Sequence, residues 1–124
     1  MTQNITRENL AQFYGSEGQY YHPIFSGINY TDGVKFLNNE GAGWLIDAIL
    51  SHLAFTTQVR RAEFVCIILT VEKMSTGRHQ ARLTFTDGND RDLYVQDIEY
   101  TDFPLVGELK FFCVDKMLML ATEY

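Results

Sequence analysis

The first half of the chain carries the apolar spacing of helices. Between residues 42 and 53, apolar side chains recur every three or four positions, while Asp47 lies on the opposite side. That period predicts an amphipathic helix. Two shorter helices are predicted before it, over residues 6–14 and from Thr31 to just before Gly41, because threonine is a good N-cap and glycine commonly follows a helix end.

The second half of the chain has the residue patterns of β-strands. Segment 63–71 is apolar on both alternating faces, which predicts a central strand covered on both sides. Segment 78–86 alternates between apolar and polar side chains. The Asp-Gly-Asn-Asp sequence at 87–90 predicts a hairpin turn, and Asp115-Lys116 predicts another. The strands predicted after these cover residues 93–100, 108–114 and 117–121.

Together these elements predict the α+β class. We expect two to three N-terminal helices, within about residues 1–55, packed on one face of an antiparallel sheet of about five strands, within about residues 62–121. The 124 residues suit a single domain spanning 1–124. The aromatic segment 16–29 has no period and is predicted to be an ordered loop.

Composition points to a cytoplasmic protein. The chain is 46% hydrophobic, but no apolar run approaches the ~18 residues of a membrane span. The first residues have neither the basic start nor the apolar stretch of a signal peptide. Cys66 and Cys113 lie inside apolar stretches, which predicts reduced core thiols.

Charge is placed unevenly along the chain. Residues 1–86 carry seven acidic and seven basic side chains, whereas residues 87–124 carry nine acidic and three basic ones. The whole net charge of −6 therefore belongs to the last part of the chain. Such a surface repels phosphate backbones, so we expect no direct nucleic-acid binding. It favours a basic protein partner, although acids scattered singly also serve simply as a solvated surface.

The sequence offers no established catalytic or metal-binding motif. His22, His52 and His79 have no ligand spacing, and the acids at 87–92 lack the pattern of a calcium loop. His52 lies on the apolar side of its helix and is predicted to be a core histidine. We therefore predict no catalytic residue, no cofactor and no metal.

Six short blocks, spread over nearly the whole chain, match a known family in order. They are LAQFYGSE at 10–17, YHP at 21–23, YTDGVKFL at 30–37, GAGWLIDAI at 41–49, IEYTDFP at 98–104 and EY at 123–124. On these blocks the sequence resembles a small bacterial family of unknown function, met mainly in cyanobacterial, plasmid and phage-related sequences. The family usually has an aromatic residue where this chain has Gly43. The resemblance implies a domain outline but no catalytic residue.

The association with mobile elements suggests a non-catalytic anti-defence protein, such as an anti-CRISPR inhibitor. It would bind a host effector protein or ribonucleoprotein through an acidic C-terminal surface. The candidate partner contacts are Asp87, Asp90, Asp92, Asp97, Glu99 and Asp102, with Tyr20 and Tyr21 as anchors.

Two alternatives stay open. One is a structural or regulatory protein-binding module of the mobile element, possibly a homodimer paired through an edge strand such as 117–121. The other is a small nucleotide- or base-directed enzyme that uses His22 as acid or base. Its possible small-molecule site would combine His22 and the neighbouring Tyr21 with Asp32, Trp44 and Asp47.

Overall fold

A seven-stranded mixed sheet organises the molecule. The computed structural model describes residues 5–14, 18–21, 27–89 and 91–124. The strands are β1 (Tyr20–Tyr21), β2 (Asn29–Tyr30), β3 (Phe64–Lys73), β4 (His79–Thr86), β5 (Asp92–Thr101), β6 (Gly107–Val114) and β7 (Met117–Leu120). Their order across the sheet is β1-β2-β7-β6-β3-β4-β5. Neighbouring strands are antiparallel except β2 and β7, which pair in parallel.

One helix, α3, is long. It spans Gly43–Phe55, whereas α1 (Arg7–Ala11), α2 (Asp32–Leu37) and α4 (Thr57–Arg60) each make at most two turns. A wide turn at Asn38–Ala42 separates α2 from α3, and Gly41 adopts a φ of 100° within it. This left-handed conformation suits glycine. Gly41 therefore lies in the turn beyond α2, and the helix ends at Leu37, earlier than the sequence predicts. A short 3-10 helix (Ala121–Glu123) follows β7.

The core lies between α3 and one face of the sheet. Most side chains of β3, β4 and β6 that point to this face are buried, and they form one cluster with the buried side chains of α3, which are Leu45, Ile46, Ile49, Leu50 and Leu53. Alternation along the strands places the intervening side chains on the opposite face. There Arg82 and Asp97 keep 61% and 66% of their side-chain surface exposed. We call this opposite face the open face.

The expected architecture is wrong in its strand count, its strand directions and its helix content. Within the described residues the sheet has seven strands, not about five, and it is mixed because β2 pairs in parallel with β7. Of the α-helices described there, only α3 is longer than two turns, so the expected layer of two to three N-terminal helices is reduced to one long helix and short turns. Strands β1 and β2 have two residues each, which is too short for an alternating pattern to show. β1 pairs only with β2, and β2 in turn depends on β7, which lies near the other end of the chain.

Segment 117–121 is not an edge strand, so the dimer hypothesis loses the strand on which it was based. β7 lies between β2 and β6 and hydrogen-bonds to both. Several local predictions are confirmed. The long helix occurs at residues 43–55, β3 lies inside the sheet between β4 and β6, and Asp115-Lys116 links β6 to β7. None of the described helices is long and apolar enough to cross a membrane.

Candidate functional site

A concavity of about 480 Å³ lies on the open face where β3, β4 and β5 run side by side. The pairing of β4 with β5 is irregular between His79 and Ala81, and this irregularity bends the edge of the sheet. Three carboxylates and one guanidinium line the concavity, which therefore has a negative charge. The lining residues are Thr70, Glu72, Gln80, Ala81, Arg82, Asp97, Ile98 and Glu99.

Strand register explains why these charges meet. Thr70 is paired with Arg82, and Arg82 with Asp97, so the three form one row across the sheet. Glu72 is paired with Gln80 in the next row. Arg82 donates from Nε to Oδ1 of Asp97 over 2.7 Å, and this bond raises the pKa of Arg82. Because both side chains are exposed to solvent, the pair contributes little to stability.

The remaining candidate acids follow β5 and its flanking turns. Asp92 and Asp102 are exposed at the two ends of this strand, which forms one edge of the sheet. The Asp87 carboxylate accepts the backbone N–H of Asn89 over 2.8 Å, so Asp87 shapes the turn before β5. Asp90 lies outside the described residues.

The candidate tyrosine anchors lie far from these acids. Tyr20 and Tyr21 form β1, at the edge of the sheet opposite β5. Six strand spacings separate the two edges, or roughly 29 Å measured along the sheet. The structure therefore does not place the tyrosines and the acids of β5 on one contact surface.

Tyr20 has a local role next to α2. Its hydroxyl donates to Oδ1 of Asp32 over 2.8 Å, and this bond raises the pKa of the phenol. The ammonium of Lys35 lies 4.6 Å from the centre of the Tyr20 ring, within cation–π distance. These contacts fix β1 against the first turn of α2. Tyr21 is different, because its side chain is 73% exposed.

The residues of the possible small-molecule site have separate surroundings. Asp32 is bound by Tyr20, and Asp47 is exposed on α3. The Nε1 atom of Trp44 is buried and has no hydrogen-bond partner among the described residues. His22 lies outside the described part of the chain. The concavity on the open face is lined by other residues.

A buried carboxylate that the sequence reasoning missed connects the chain end to α2. Glu123 is 7% exposed, and its Oε1 accepts the hydroxyl of Thr31 over 2.7 Å and the N–H of Leu120 over 3.0 Å. Its Oε2 accepts the N–H of Gly33 over 3.0 Å. Thr31 therefore does not cap α2 with its own side chain; the carboxylate of Glu123 takes that place. In the sequence, Glu123 is marked only as part of the block EY at 123–124, which indicates no role for its carboxylate.

His52 and the two cysteines have structural surroundings. His52 Nδ1 lies 2.7 Å from Oγ1 of Thr56, and its Nε2 lies 2.8 Å from Oε1 of Gln96, so both ring nitrogens are satisfied. Cys66 and Cys113 are free and buried, and the pairing of β3 with β6 places them on opposite faces of the sheet. Among the described residues, no group of side chains could hold a metal ion.

Aromatic side chains occupy the other end of the open face. Phe64 and Phe112 pack with ring centres 5.3 Å apart, and Tyr124 packs against both. Tyr124 is nevertheless 72% exposed. The open face thus changes from aromatic at the start of β3 to acidic near its end.

Comparison with known proteins gives a family but no function. No curated protein and no solved structure matches the chain. The model of a family of unknown function (DUF6876) matches residues 4–124, which is nearly the whole chain. This protein therefore belongs to the DUF6876 family.

Proposed function

We propose that this protein is a non-catalytic binding protein that holds a basic surface of a partner protein on its open face. The observation that carries the proposal is the acidic concavity over β3, β4 and β5. There Glu72, Asp97 and Glu99 lie around Arg82. Opposite charge across an interface speeds encounter and selects the partner.

Two of these carboxylates are available to a partner. Asp97 is engaged by Arg82, whereas the exposed side chains of Glu72 and Glu99 make no hydrogen bond within the described part of the chain. An arginine or lysine of the partner can approach them without breaking an existing bond. Because the site is exposed to solvent, we expect the attraction to weaken as salt is added.

The aromatic end of the open face supplies the apolar part of the interface. Tyrosine and phenylalanine are enriched in the cores of protein interfaces, while charged groups are common at their rims. The exposed Tyr124 ring packs on Phe64 and Phe112 and offers such a contact. The partner surface that fits the open face therefore combines a basic patch with a neighbouring apolar patch.

The partner that we propose is an effector of bacterial defence. This step follows from the resemblance to phage- and plasmid-related sequences, and it makes the protein an inhibitor of the anti-CRISPR kind. An effector that grips nucleic acid has a basic groove, which is the complement of an acidic concavity. Covering that groove excludes nucleic acid and requires no catalytic residue or cofactor. The protein itself would not bind nucleic acid.

The test compares two double variants of equal charge. Glu72→Lys/Glu99→Lys reverses the concavity, whereas Glu8→Lys/Glu63→Lys reverses two exposed acids elsewhere. Each is expressed in bacteria that carry one CRISPR effector from a panel of types, and transformation by a targeted plasmid is counted. We expect the wild type and the Glu8/Glu63 variant to raise transformation with one effector, and the Glu72/Glu99 variant to lose this effect.

Two results would contradict the proposal in different ways. Failure of the wild type against every effector type would reject the anti-defence role. Full activity of a folded Glu72/Glu99 variant would reject the open face as the contact surface. Co-purification of the effector at low and high salt then shows whether the contact depends on charge.

Self-association through β5 fits the structure less well. Asp92, Asp97 and Glu99 all lie on this edge strand, and pairing two copies of it would bring like charges together. We therefore expect the protein to bind a different protein and not a second copy. A dimeric mass in sedimentation at micromolar concentration would contradict this expectation.

A further inference from the structure

A second concavity, of about 530 Å³, lies at the end of the core near α4 and the turn between β6 and β7. Its floor is apolar and consists of side chains that are each at most 6% exposed. Its rim carries three basic side chains, together with the acids Glu63 and Asp115. The floor residues are Ile28, Leu53, Val59, Val65 and Cys113, and the basic rim residues are Arg60, Arg61 and Lys116.

The basic rim is unusual in this acidic protein. The chain has ten lysines and arginines and a net charge of −6, yet three of those ten line this one concavity. Within the described part of the chain, the side chains of Arg60, Arg61 and Lys116 have no hydrogen bond or ion pair. Their charges are therefore available to an anion.

The turn that carries Lys116 adopts a backbone that normally favours glycine. Asp115 has a φ of 51° and Lys116 a φ of 64°, which together form a two-residue hairpin turn of the type usually built from Asn-Gly or Asp-Gly. A lysine in the second position costs stability relative to glycine. Burial raises the pKa of the Cys113 thiol, and the positive charge of Lys116 partly opposes this increase.

We propose that this concavity, which we call the basic pocket, binds a small amphipathic anion. The ligand class is a carboxylate or sulfonate attached to an apolar chain or ring. The anionic head would lie among Arg60, Arg61 and Lys116, and the apolar part would cover the floor. The volume is within the roughly 300–1,000 Å³ range of small-molecule sites, which combine an apolar lining with a few polar groups. This proposal is independent of the open face.

The first test uses anilinonaphthalene sulfonate, an amphipathic anion that fluoresces when it leaves water. The variants are Arg60→Gln/Arg61→Gln and Lys116→Asn, and the matched control is Lys73→Asn, which removes an exposed lysine at the end of β3. We expect about tenfold weaker binding for the double variant and several-fold weaker binding for Lys116→Asn. Decanoate should displace the dye from the wild type.

Lys116→Asn also separates binding from folding. Asparagine tolerates a positive φ, so this variant should be at least as stable as the wild type in urea unfolding while it binds the dye more weakly. Equal dye affinity in the wild type and in both pocket variants would overturn the proposal. So would an equal loss in the Lys73 control, because that result would report only the net charge of the protein.

A second measurement locates the bound anion. In a Cys66→Ser background, Cys113 is the remaining thiol, and its reaction with an uncharged maleimide at pH 8 is followed with and without decanoate. Binding in the basic pocket should slow this reaction several-fold. An unchanged rate at a decanoate concentration that displaces the dye would place the ligand elsewhere and overturn the proposal.

Discussion

Gly33 donates its backbone N–H to Oε2 of Glu123 over 3.0 Å, and this bond joins the first turn of α2 to the far end of the chain. The carboxylate fits there because Gly33 has no side chain. A Cβ atom at this position would overlap the carboxylate and lie 2.6 Å from Cδ1 of Leu120. The hydrogen bond between Gly33 and Glu123 therefore requires both the absence of a side chain at position 33 and the carboxylate at position 123.

Gly33→Ala should destabilise the protein. The added methyl group must displace the Glu123 carboxylate or the Leu120 side chain, and overpacking of this kind costs about 2 kcal/mol. The control is Gly43→Ala, because Gly43 has helical angles and the nearest atom to its Cβ is 3.4 Å away. We expect the control to keep or slightly raise the free energy of unfolding in urea. Equal stability of the two variants would contradict the steric argument.

Glu123→Gln should destabilise the protein without changing the shape of the side chain. The carboxylate accepts three hydrogen bonds, and an amide turns one accepting oxygen into a donor that faces another donor. An unsatisfied buried group of this kind costs about 1–3 kcal/mol. Glu8→Gln makes the same chemical change at an exposed position and should alter stability by less than about 0.5 kcal/mol. Urea unfolding of both variants at pH 7 tests this, and a loss below that of the control would refute it.

The stability of the protein should fall at alkaline pH because of Cys113. Burial raises the pKa of this thiol to about 11, above that of an unfolded thiol. The folded state therefore holds the proton more tightly than the unfolded state does. The stability that this contributes is fully present below the pKa of the unfolded thiol and is lost as pH rises through the pKa of the folded thiol. Between pH 7.5 and 10.5, the unfolding free energy of the wild type should fall by about 2 kcal/mol relative to that of Cys113→Ala.

Urea unfolding of both proteins at several pH values checks this expectation. Lysines and tyrosines titrate in both proteins, so the difference between the two isolates the thiol. A constant difference across the range would contradict the raised pKa of the Cys113 thiol.

His52 should carry its proton on Nε2. The Oε1 atom of Gln96 accepts from Nε2, and the hydroxyl of Thr56 is then free to donate to Nδ1. Nitrogen-15 NMR of the imidazole distinguishes this tautomer from the other. His79 serves as the internal comparison, because its Nδ1 faces the carbonyl oxygen of Phe103 and must carry the proton there. The same tautomer at both histidines would contradict the assignment.

Sequence patterns predict the helices, strands and turns that are determined by residues close to one another in the sequence. The apolar period at 42–53 marks α3, and the alternation at 78–86 marks β4. The Asp115-Lys116 pair marks the turn between β6 and β7. These features could be predicted because local spacing and turn chemistry determine them.

Contacts between distant segments could not be predicted in this way. Asn29 pairs with Met117 in parallel. A strand of two residues is too short for its sequence pattern to indicate which strand it pairs with. The acidic concavity combines Glu72 of β3 with Glu99 of β5 across the sheet. The excess of acidic side chains over residues 87–124 marks the acids of β5. Glu72 lies in the part of the chain where acidic and basic side chains are equal in number, so no local charge excess marks it.

The parallel pairing of β2 with β7 also sets the order in which the protein can fold during synthesis. Asn29, Tyr30 and the first turn of α2 receive their strand partner and their helix cap from residues 117–123. A nascent chain that ends before residue 117 has supplied neither. Asn29, Tyr30 and Gly33 can therefore form these contacts only after residues 117–123 have been synthesised.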